Sequence, residues 1–456
     1  MSEISKGARG SVFELTGVPP AGQVLPLGLQ HVVAAIVGVV TPAILVSNTV
    51  GLDSADKTIL IQVSLLITAI ATLIQVFGNG RVGAGLPVIM GISFAYVPTL
   101  LAIGGQFDLP TILGAEIVGG CVAIVFGIFV KYLRVFFPPL VTGTVIFTIG
   151  LSLYPTAVKY MAGGAGSEGF GSWQNWTVAL ITLAVVIFCN HFTKGVFKLA
   201  SILIGMVVGY IVALAMGMVS FSAVAQSGWF AVTAPLHFGI TFNASACISL
   251  AVMYIVNSVQ TIGDLTSTTI GGLDREPTDR ELSGGIVAQG VMSVAGAFFG
   301  GLPAATFSQN VGIVTVNRVV NRIVFAFAAC VLLVAGFVPK FASLLTTIPQ
   351  CVIGGATISV FATITMTGIR MITSAKLTQR NVAIVGLSVA LGVGVTTVEG
   401  CLSGFPSWVA TVFGSSSVVI ATLMAIFLNL ILPKESGPKQ RSVPASGFSV
   451  RSTLCP

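Results

Sequence analysis

Ser308-Gln309-Asn310 stands inside an otherwise apolar stretch and is the densest cluster in this chain able to do chemistry. A primary amide offers two N–H donors and one carbonyl acceptor. Gln309 and Asn310 therefore suit a neutral, planar ligand whose edge alternates N–H and C=O, more than they suit an inorganic anion. Phe94 and Tyr96, just after Ser93, add aromatic faces on which a flat ring can stack. Asp264 closes the run Gln260-Thr261-Ile262-Gly263-Asp264, and Gln260 and Asp264 fall on one face of a helix. Other polar groups interrupt apolar runs singly. Glu116, among small residues, reads as a helix-packing acid with a structural hydrogen bond. Gln289 reads as a bond across to the segment that carries Gln309. His31 reads as a packing histidine or as a companion to Asp264.

Such groups need elements that can hold them in apolar surroundings. Of 456 residues, 55% are hydrophobic and 8% are charged, and the mean hydropathy is +1.01. A soluble domain carries roughly 25% charged residues. Apolar runs of about 20 residues, long enough to cross a hydrocarbon core, recur along the chain. The class is an all-α polytopic membrane protein. The net charge of +7 is scattered singly or in pairs between those runs, which excludes a nucleic-acid patch and reads as topology signals. Seven cysteines without a CxxC pair read as small buried hydrophobes, so no metal site and no disulfide framework is expected. The amino-terminal residues 1–25 have no signal-peptide pattern, and 434–456 read as a disordered cytoplasmic tail.

Fourteen spans are expected, near 26–48, 58–80, 84–104, 110–133, 137–158, 173–193, 199–222, 240–270, 282–301, 303–318, 322–339, 348–370, 381–398 and 411–432. With both termini cytoplasmic, the inside segments take Lys6, Arg9, Arg81, Lys131, Arg134, Lys194, Lys198, Arg275, Arg280, Arg318, Arg322, Arg370, Lys376, Arg380 and the tail's Lys434, Lys439, Arg441 and Arg451. Of the 21 Lys and Arg, only Lys57, Lys159 and Lys340 fall outside. That asymmetry supports an even count.

Two spans cannot be continuous helices. The third holds Gly83, Gly85, Pro87 and Gly91, and the tenth holds Gly300, Gly301, Pro303 and Gly312. Irregular backbone at membrane depth is tolerated where it lines a cavity. The two also match without gaps, Gly85-Leu86-Pro87-Val88 to Ser93-Phe94 on Gly301-Leu302-Pro303-Ala304 to Gln309-Asn310. A second match follows, Phe137-Pro138-Pro139-Leu140-Val141-Thr142-Gly143 on Ile348-Pro349-Gln350-Cys351-Val352-Ile353-Gly354. Two matches in one order predict a duplicated unit of seven spans. An odd number forces the second copy upside down, so broken spans 3 and 10, with short extended stretches, meet near the midplane as in secondary transporters.

At these residues the chain resembles the nucleobase–ascorbate transporter family, whose signature runs Gln/Glu-Asn-x-Gly-x-x-x-x-Thr-Arg/Lys/Gly. Here it reads Gln309-Asn310-Val311-Gly312-Ile313-Val314-Thr315-Val316-Asn317-Arg318, with Asn317 where threonine is usual. Leu29-Gln30-His31, Gly91-Ile92-Ser93-Phe94, the Phe137–Gly143 run and Gly263-Asp264 extend the resemblance. It implies a core domain from 26–134 and 240–345 (spans 1–4 and 8–11), and a gate domain from 135–225 and 346–433 (spans 5–7 and 12–14). It further implies a homodimer in lipid of the bacterial inner membrane, elevator-like motion and proton symport without a cofactor. Gln309 points to xanthine or uric acid, since uracil permeases resemble this chain but place glutamate there. The resemblance places the base at Ser93, Phe94, Gln260, Ser308, Gln309, Asn310 and Gly312, with Asn317, Arg318, Tyr96 and Gln289 tuning specificity or gating. Purine members usually carry acids where this chain has Gln260 and Gln289. A glutamine takes up no proton, which leaves Asp264, with His31, for coupling. A uracil or anion carrier of the same fold, and a facilitator without coupling, stand as alternatives; a membrane-embedded enzyme would need a catalytic constellation that is absent.

Overall fold

The computed structural model describes residues 11–133, 136–167, 169–398, 400–414 and 416–433. The expected tail 434–456, residues 1–10, and the orienting charges Lys6, Arg9, Arg134, Lys434, Lys439, Arg441 and Arg451 lie outside the described residues.

Among the described residues, fourteen membrane segments follow one another. The first seven contain α1 (Ala21–Val50), α2 (Ser54–Phe77), β1 (Met90–Ile92) leading into α3 (Val97–Gly104), α4 (Leu109–Ile128), α5 (Pro139–Met161), α6 (Trp173–Phe192) and α7 (Ser201–Ala215). The second seven contain α8 (Ala244–Leu273), α9 (Asp279–Phe299), β2 (Ala304–Thr306) leading into α10 (Ser308–Asn317), α11 (Arg322–Gly336), α12 (Gln350–Thr373), α13 (Gln379–Thr397) and α14 (Ser417–Ile431). Among the described residues, nine of these helices are long and apolar enough to cross a membrane alone. The other five include the two that follow strands, and α11, which bends by 81° into the short helix Pro339–Thr346.

Boundaries depart from expectation where caps decide them. α1 starts at Ala21 rather than 26, and residues 11–20 before it are tied down: Asn321 Nδ2 donates to the carbonyls of Ser11, Glu14 and Gly17. The last span begins in a separate helix, Ser407–Gly414, before α14. Side-chain caps start several of the long helices, whereas a proline precedes α1, α5 and α12. Asp108 accepts from Thr111 N at 3.0 Å ahead of α4, and Thr278 and Glu281 form a reciprocal capping box at the start of α9.

The repeat is visible in the contacts. β1 and β2 pair antiparallel, with Met90 opposite Thr306, Gly91 opposite Ala305 and Ile92 opposite Ala304. Met90 and Thr306 are also partners in the sequence match. Two copies related by a twofold axis cross in this way, antiparallel and centred on a pair of equivalent residues. The second match gives the same result. A Cβ on Gly143 would meet Ile372 N at 2.8 Å and Gly368 O at 3.0 Å; a Cβ on Gly354 would meet Met161 N and Ala157 O. Shifting the first set by the 211 residues between Gly143 and Gly354 turns Met161 into Ile372 and Ala157 into Gly368. The α5–α12 crossing is thus closed symmetrically by two glycines, where backbone meets backbone.

Packing follows from that symmetry. α5 lies along α12, which also takes α6, while α7 packs on α6 and α14 on α13. Elsewhere α4 packs on α9 and α8, and α11 packs on α2 and α1. The strand pair sits with β1 against α2, where Thr72 Oγ1 donates to Met90 O and accepts from Met90 N.

Candidate functional site

The two breaks end in helices whose first turns point into one cavity. Ser93 Oγ accepts from Ala95 N at 3.2 Å and starts the turn Phe94–Tyr96 that feeds α3. Across the strand pair, Phe307 N donates to Ile89 O at 3.0 Å, and α10 starts at Ser308. The first backbone N–H groups of a helix lack intrahelical partners and carry its positive end.

The cavity, of about 190 Å³, is lined on this side by Ser93, Phe94, Gln260, Thr306, Ser308 and Gln309. Sites for drug-sized ligands run to roughly 300–1,000 Å³, so this one suits a small ring system. Its opposite wall is built from Ile146 and Ile149 of α5 and from Val360, Thr363, Ile364 and Thr367 of α12. Phe94 meets Phe361 edge-on at 5.5 Å, and Gly38 lets the Phe307 ring lie against α1.

Behind the polar wall runs a hydrogen-bonded chain. Gln260 Nε2 donates to Ser308 Oγ at 3.2 Å, and Ser308 Oγ donates to Asp264 Oδ2 at 3.0 Å. Thr306 Oγ1 donates to the same carboxylate oxygen at 2.6 Å. Asp264 is buried, forms no ion pair among the described residues, and stands one layer back from the cavity. Thr306 Oγ1 also lies 3.4 Å from Thr261 Oγ1, which donates to Gln289 Oε1 at 2.7 Å. Gln289 Nε2 completes the hub, donating to Tyr96 OH at 2.7 Å and Asn257 Oδ1 at 2.8 Å.

Several expected site residues stand elsewhere. Asn310 is fully buried and turned away from the cavity: its Nδ2 donates to His31 O at 3.0 Å and lies 3.0 Å from His31 Nδ1. The carbonyl demands a donor, which fixes the amide's orientation and makes Nδ1 an acceptor. His31 therefore anchors α10 to α1, with its ring 4.4 Å from that of Phe325, and no hydrogen bond joins it to Asp264 among the described residues. Tyr96 does not line the cavity, because two steps along a tight helical turn point Phe94 and Tyr96 apart. Gln289 bonds to the third and eighth segments rather than to the tenth. Gly312 lies on the exposed face of α10, one turn beyond Ser308, with open space beside it. Asn317 ends α10, and Arg318, with φ of 55°, pairs with Asp274 at 3.0 Å at the end of α8, outside the cavity. Glu116 is fully buried, and neither of its oxygens has a hydrogen-bond partner among the described residues, so it makes no structural bond.

Sequence reasoning missed the apolar wall and Thr306, Phe307, Thr363 and Thr367. Thr306 and Phe307 immediately precede the amide cluster and were within reach. Thr363 and Thr367, four apart on α12, gave a weaker signal. Among the described residues, no three His, Cys, Asp or Glu side chains gather into a metal-binding group.

Paired broken helices and inverted repeats around a cavity with polar and aromatic lining define a multi-pass membrane transporter rather than an enzyme. A model described as a permease family matches residues 22–400, and the chain belongs to that family, the one its signature resembles. It is 37% identical to the uric acid permease PucK of Bacillus subtilis, covering 89% of this chain and 95% of that one. It is 35% identical to the xanthine permease of the same organism, covering 90% and 94%. Among solved structures it is similar to the transmembrane domain of a cyanobacterium bicarbonate transporter, BicA, with a TM-score of 0.56, 17% identity, and 90% and 98% of the two chains covered. That likeness concerns the fold alone.

Proposed function

We propose that this chain is a secondary active transporter that imports a purine base, xanthine or uric acid or both, across the bacterial inner membrane by proton symport. The observation that carries the substrate is the cavity's polar wall. Gln309 and Gln260 present amides, Ser93 and Ser308 present hydroxyls, and Phe94 presents a ring, all around a space sized for a small heterocycle. An amide can meet both a carbonyl and an N–H on one edge of an oxidised purine. Relatives named for xanthine and uric acid, at 35% and 37% identity, support the same substrates. Asp264 is the acid nearest the cavity and is assigned to proton coupling, bonded through Ser308 to Gln260.

Motion follows the division of the helices. The core, 26–134 and 240–345, holds both breaks and the polar wall. The gate, 135–225 and 346–433, supplies the apolar wall, against which the core slides as an elevator. Asn310 and His31 keep α10 rigid within the core, and Asn317 and Arg318 close its far end. The protein works as a homodimer in lipid with both termini in the cytoplasm, as the distribution of basic residues supports.

The same fold could carry an anion, but among the described residues no lysine or arginine lines the cavity. Competition uptake in proteoliposomes, with and without an imposed proton gradient, tests the reading. Labelled xanthine should enter, accumulate only with an inward gradient, and be displaced by urate but not by uracil or bicarbonate. Equal competition by bicarbonate, or no purine entry, would overturn it.

A further inference from the structure

A second cluster of buried polar groups lies behind the hub, and nothing in the transport reading uses it. Glu116 of α4 is fully buried, and both of its carboxyl oxygens are unpartnered among the described residues. The amide nitrogen of Asn257, also buried, is unpartnered among the described residues, and the buried hydroxyl of Tyr254, on the same helix α8, has only Ser293 of α9 close to it. They share one location. Gly119, three residues after Glu116 and on the same face of α4, would drive a Cβ into the Tyr254 ring. Gly120, the next residue on that face, packs on Gly290 of α9, beside Gln289. The rings of Tyr254 and Tyr96 lie with centres 4.8 Å apart, tilted by 48°, and both hydroxyls are within electrostatic reach of Glu116. Asn257 accepts from Gln289 through its other amide atom.

We propose that Glu116 is a second proton-binding site of the transporter, formed with Tyr96, Tyr254 and Asn257. The inference rests on the proton-coupled reading above and adds to it a second acid that is remote from the substrate. Its chemistry argues for a proton rather than a metal ion. A cation site needs several oxygens turned inward, whereas Asn257 Nδ2 and the Tyr254 hydroxyl bring donors that repel a cation and suit a carboxyl oxygen. No lysine, arginine or histidine faces Glu116 from α4, α8, α9 or the turn that bears Tyr96, among the described residues; the titratable groups there are Tyr96, Tyr254 and Cys121. A bare charge within a membrane span costs roughly 2.5–3.5 kcal/mol even on lenient scales. Glu116 thus crosses the membrane more readily with a proton bound than without one.

The link to substrate is short. Tyr96 follows Phe94 by two residues in one turn, so a base settling on Phe94 presses on the segment whose hydroxyl caps the Gln289 hub. Gln289 can hold that hydroxyl but can neither take nor pass a proton. The proton therefore stays on Glu116, and the hub conveys position only.

Accumulation ratios count the protons. In a one-unit pH gradient each coupled proton supports about tenfold accumulation of a neutral substrate. In proteoliposomes holding the full chain, Glu116→Gln should lower the limiting xanthine accumulation about tenfold, while xanthine counterflow at equal pH persists. Unchanged accumulation in Glu116→Gln would overturn the proposal, as would accumulation driven by a sodium gradient that the variant abolishes. If Glu116→Gln shows no counterflow, Glu116→Asp decides: a displaced pH profile of accumulation supports the site, and an unchanged profile overturns it. Absence of xanthine counterflow in the unmodified protein would instead sink the transport reading itself.

Discussion

Met90–Tyr96 and Thr306–Gly312 correspond position for position across the twofold axis, and their side chains differ in kind. Gly91 answers to Phe307, Ile92 to Ser308, Ser93 to Gln309, Phe94 to Asn310 and Tyr96 to Gly312. Ser93 and Gln309 both line the cavity, one with a hydroxyl and one with an amide. Phe94 faces the cavity, whereas Asn310 turns to His31. Tyr96 is buried in the Gln289 hub, while Gly312 lies exposed. The backbone solution to carrying irregular chain at membrane depth is used twice. The chemistry is present once: at equivalent positions the cavity has an amide from one copy and a hydroxyl from the other, and Phe94 lines it where its mate Asn310 does not.

Breaking the shared backbone should have the largest effect. Gly91 has no room for a side chain, since a Cβ there runs into Thr68 of α2, although its mate is phenylalanine. Gly91→Val should abolish uptake and destabilise the protein by about 1–3 kcal/mol, read by thermal unfolding in detergent. A variant as stable and active as the parent would mean that β1 need not lie against α2. The next effect belongs to the unshared chemistry. Gln309→Ala leaves polar groups of a bound purine unpaired, which costs about 1–3 kcal/mol, or roughly 5- to 150-fold in affinity. Unchanged xanthine and urate binding in equilibrium titration would remove Gln309 from the site.

Much of this was legible in sequence, and the limits have physical causes. Gly and Pro at matched positions announced both breaks, because backbone that cannot be helical leaves a compositional mark. The amides of Gln309 and Gln260 announced the polar wall for the same reason, as costly groups in an apolar run. The facing wall left no mark: Ile146, Ile149, Val360 and Ile364 are ordinary membrane residues whose role comes only from the α5–α12 crossing. The direction of a side chain was equally hidden. Asn310 and Gln309 are adjacent and chemically alike, yet one step around α10, about 100°, sends one to the cavity and the other to His31. Glu116 misled because a buried acid normally finds a partner, and this one does not.

Asn310 tests that divergence. Asn310→Ala removes the amide that bonds both His31 Nδ1 and His31 O and leaves the buried ring nitrogen unpaired, at a cost of about 1–3 kcal/mol in stability. Thermal unfolding should record that loss, while xanthine affinity falls by less than in Gln309→Ala. Equal loss of affinity in both variants would place Asn310 in contact with the base after all.

The smallest effect separates the two walls. On α12, Thr363 Oγ1 donates to Ser359 O at 2.9 Å, and Thr367 Oγ1 donates to Thr363 O at 2.9 Å, so neither hydroxyl has its proton free for a ligand. If the apolar wall contributes shape alone, Thr363→Val, which keeps the shape and drops the hydroxyl, should change xanthine affinity by no more than ~0.5 kcal/mol. Under the proposed transport cycle, a polar wall that recognises the ligand and an apolar wall that slides past it call for that asymmetry. A gate that gripped the base by hydrogen bonds would have to release them at every crossing, and a loss approaching that of Gln309→Ala would show that it does.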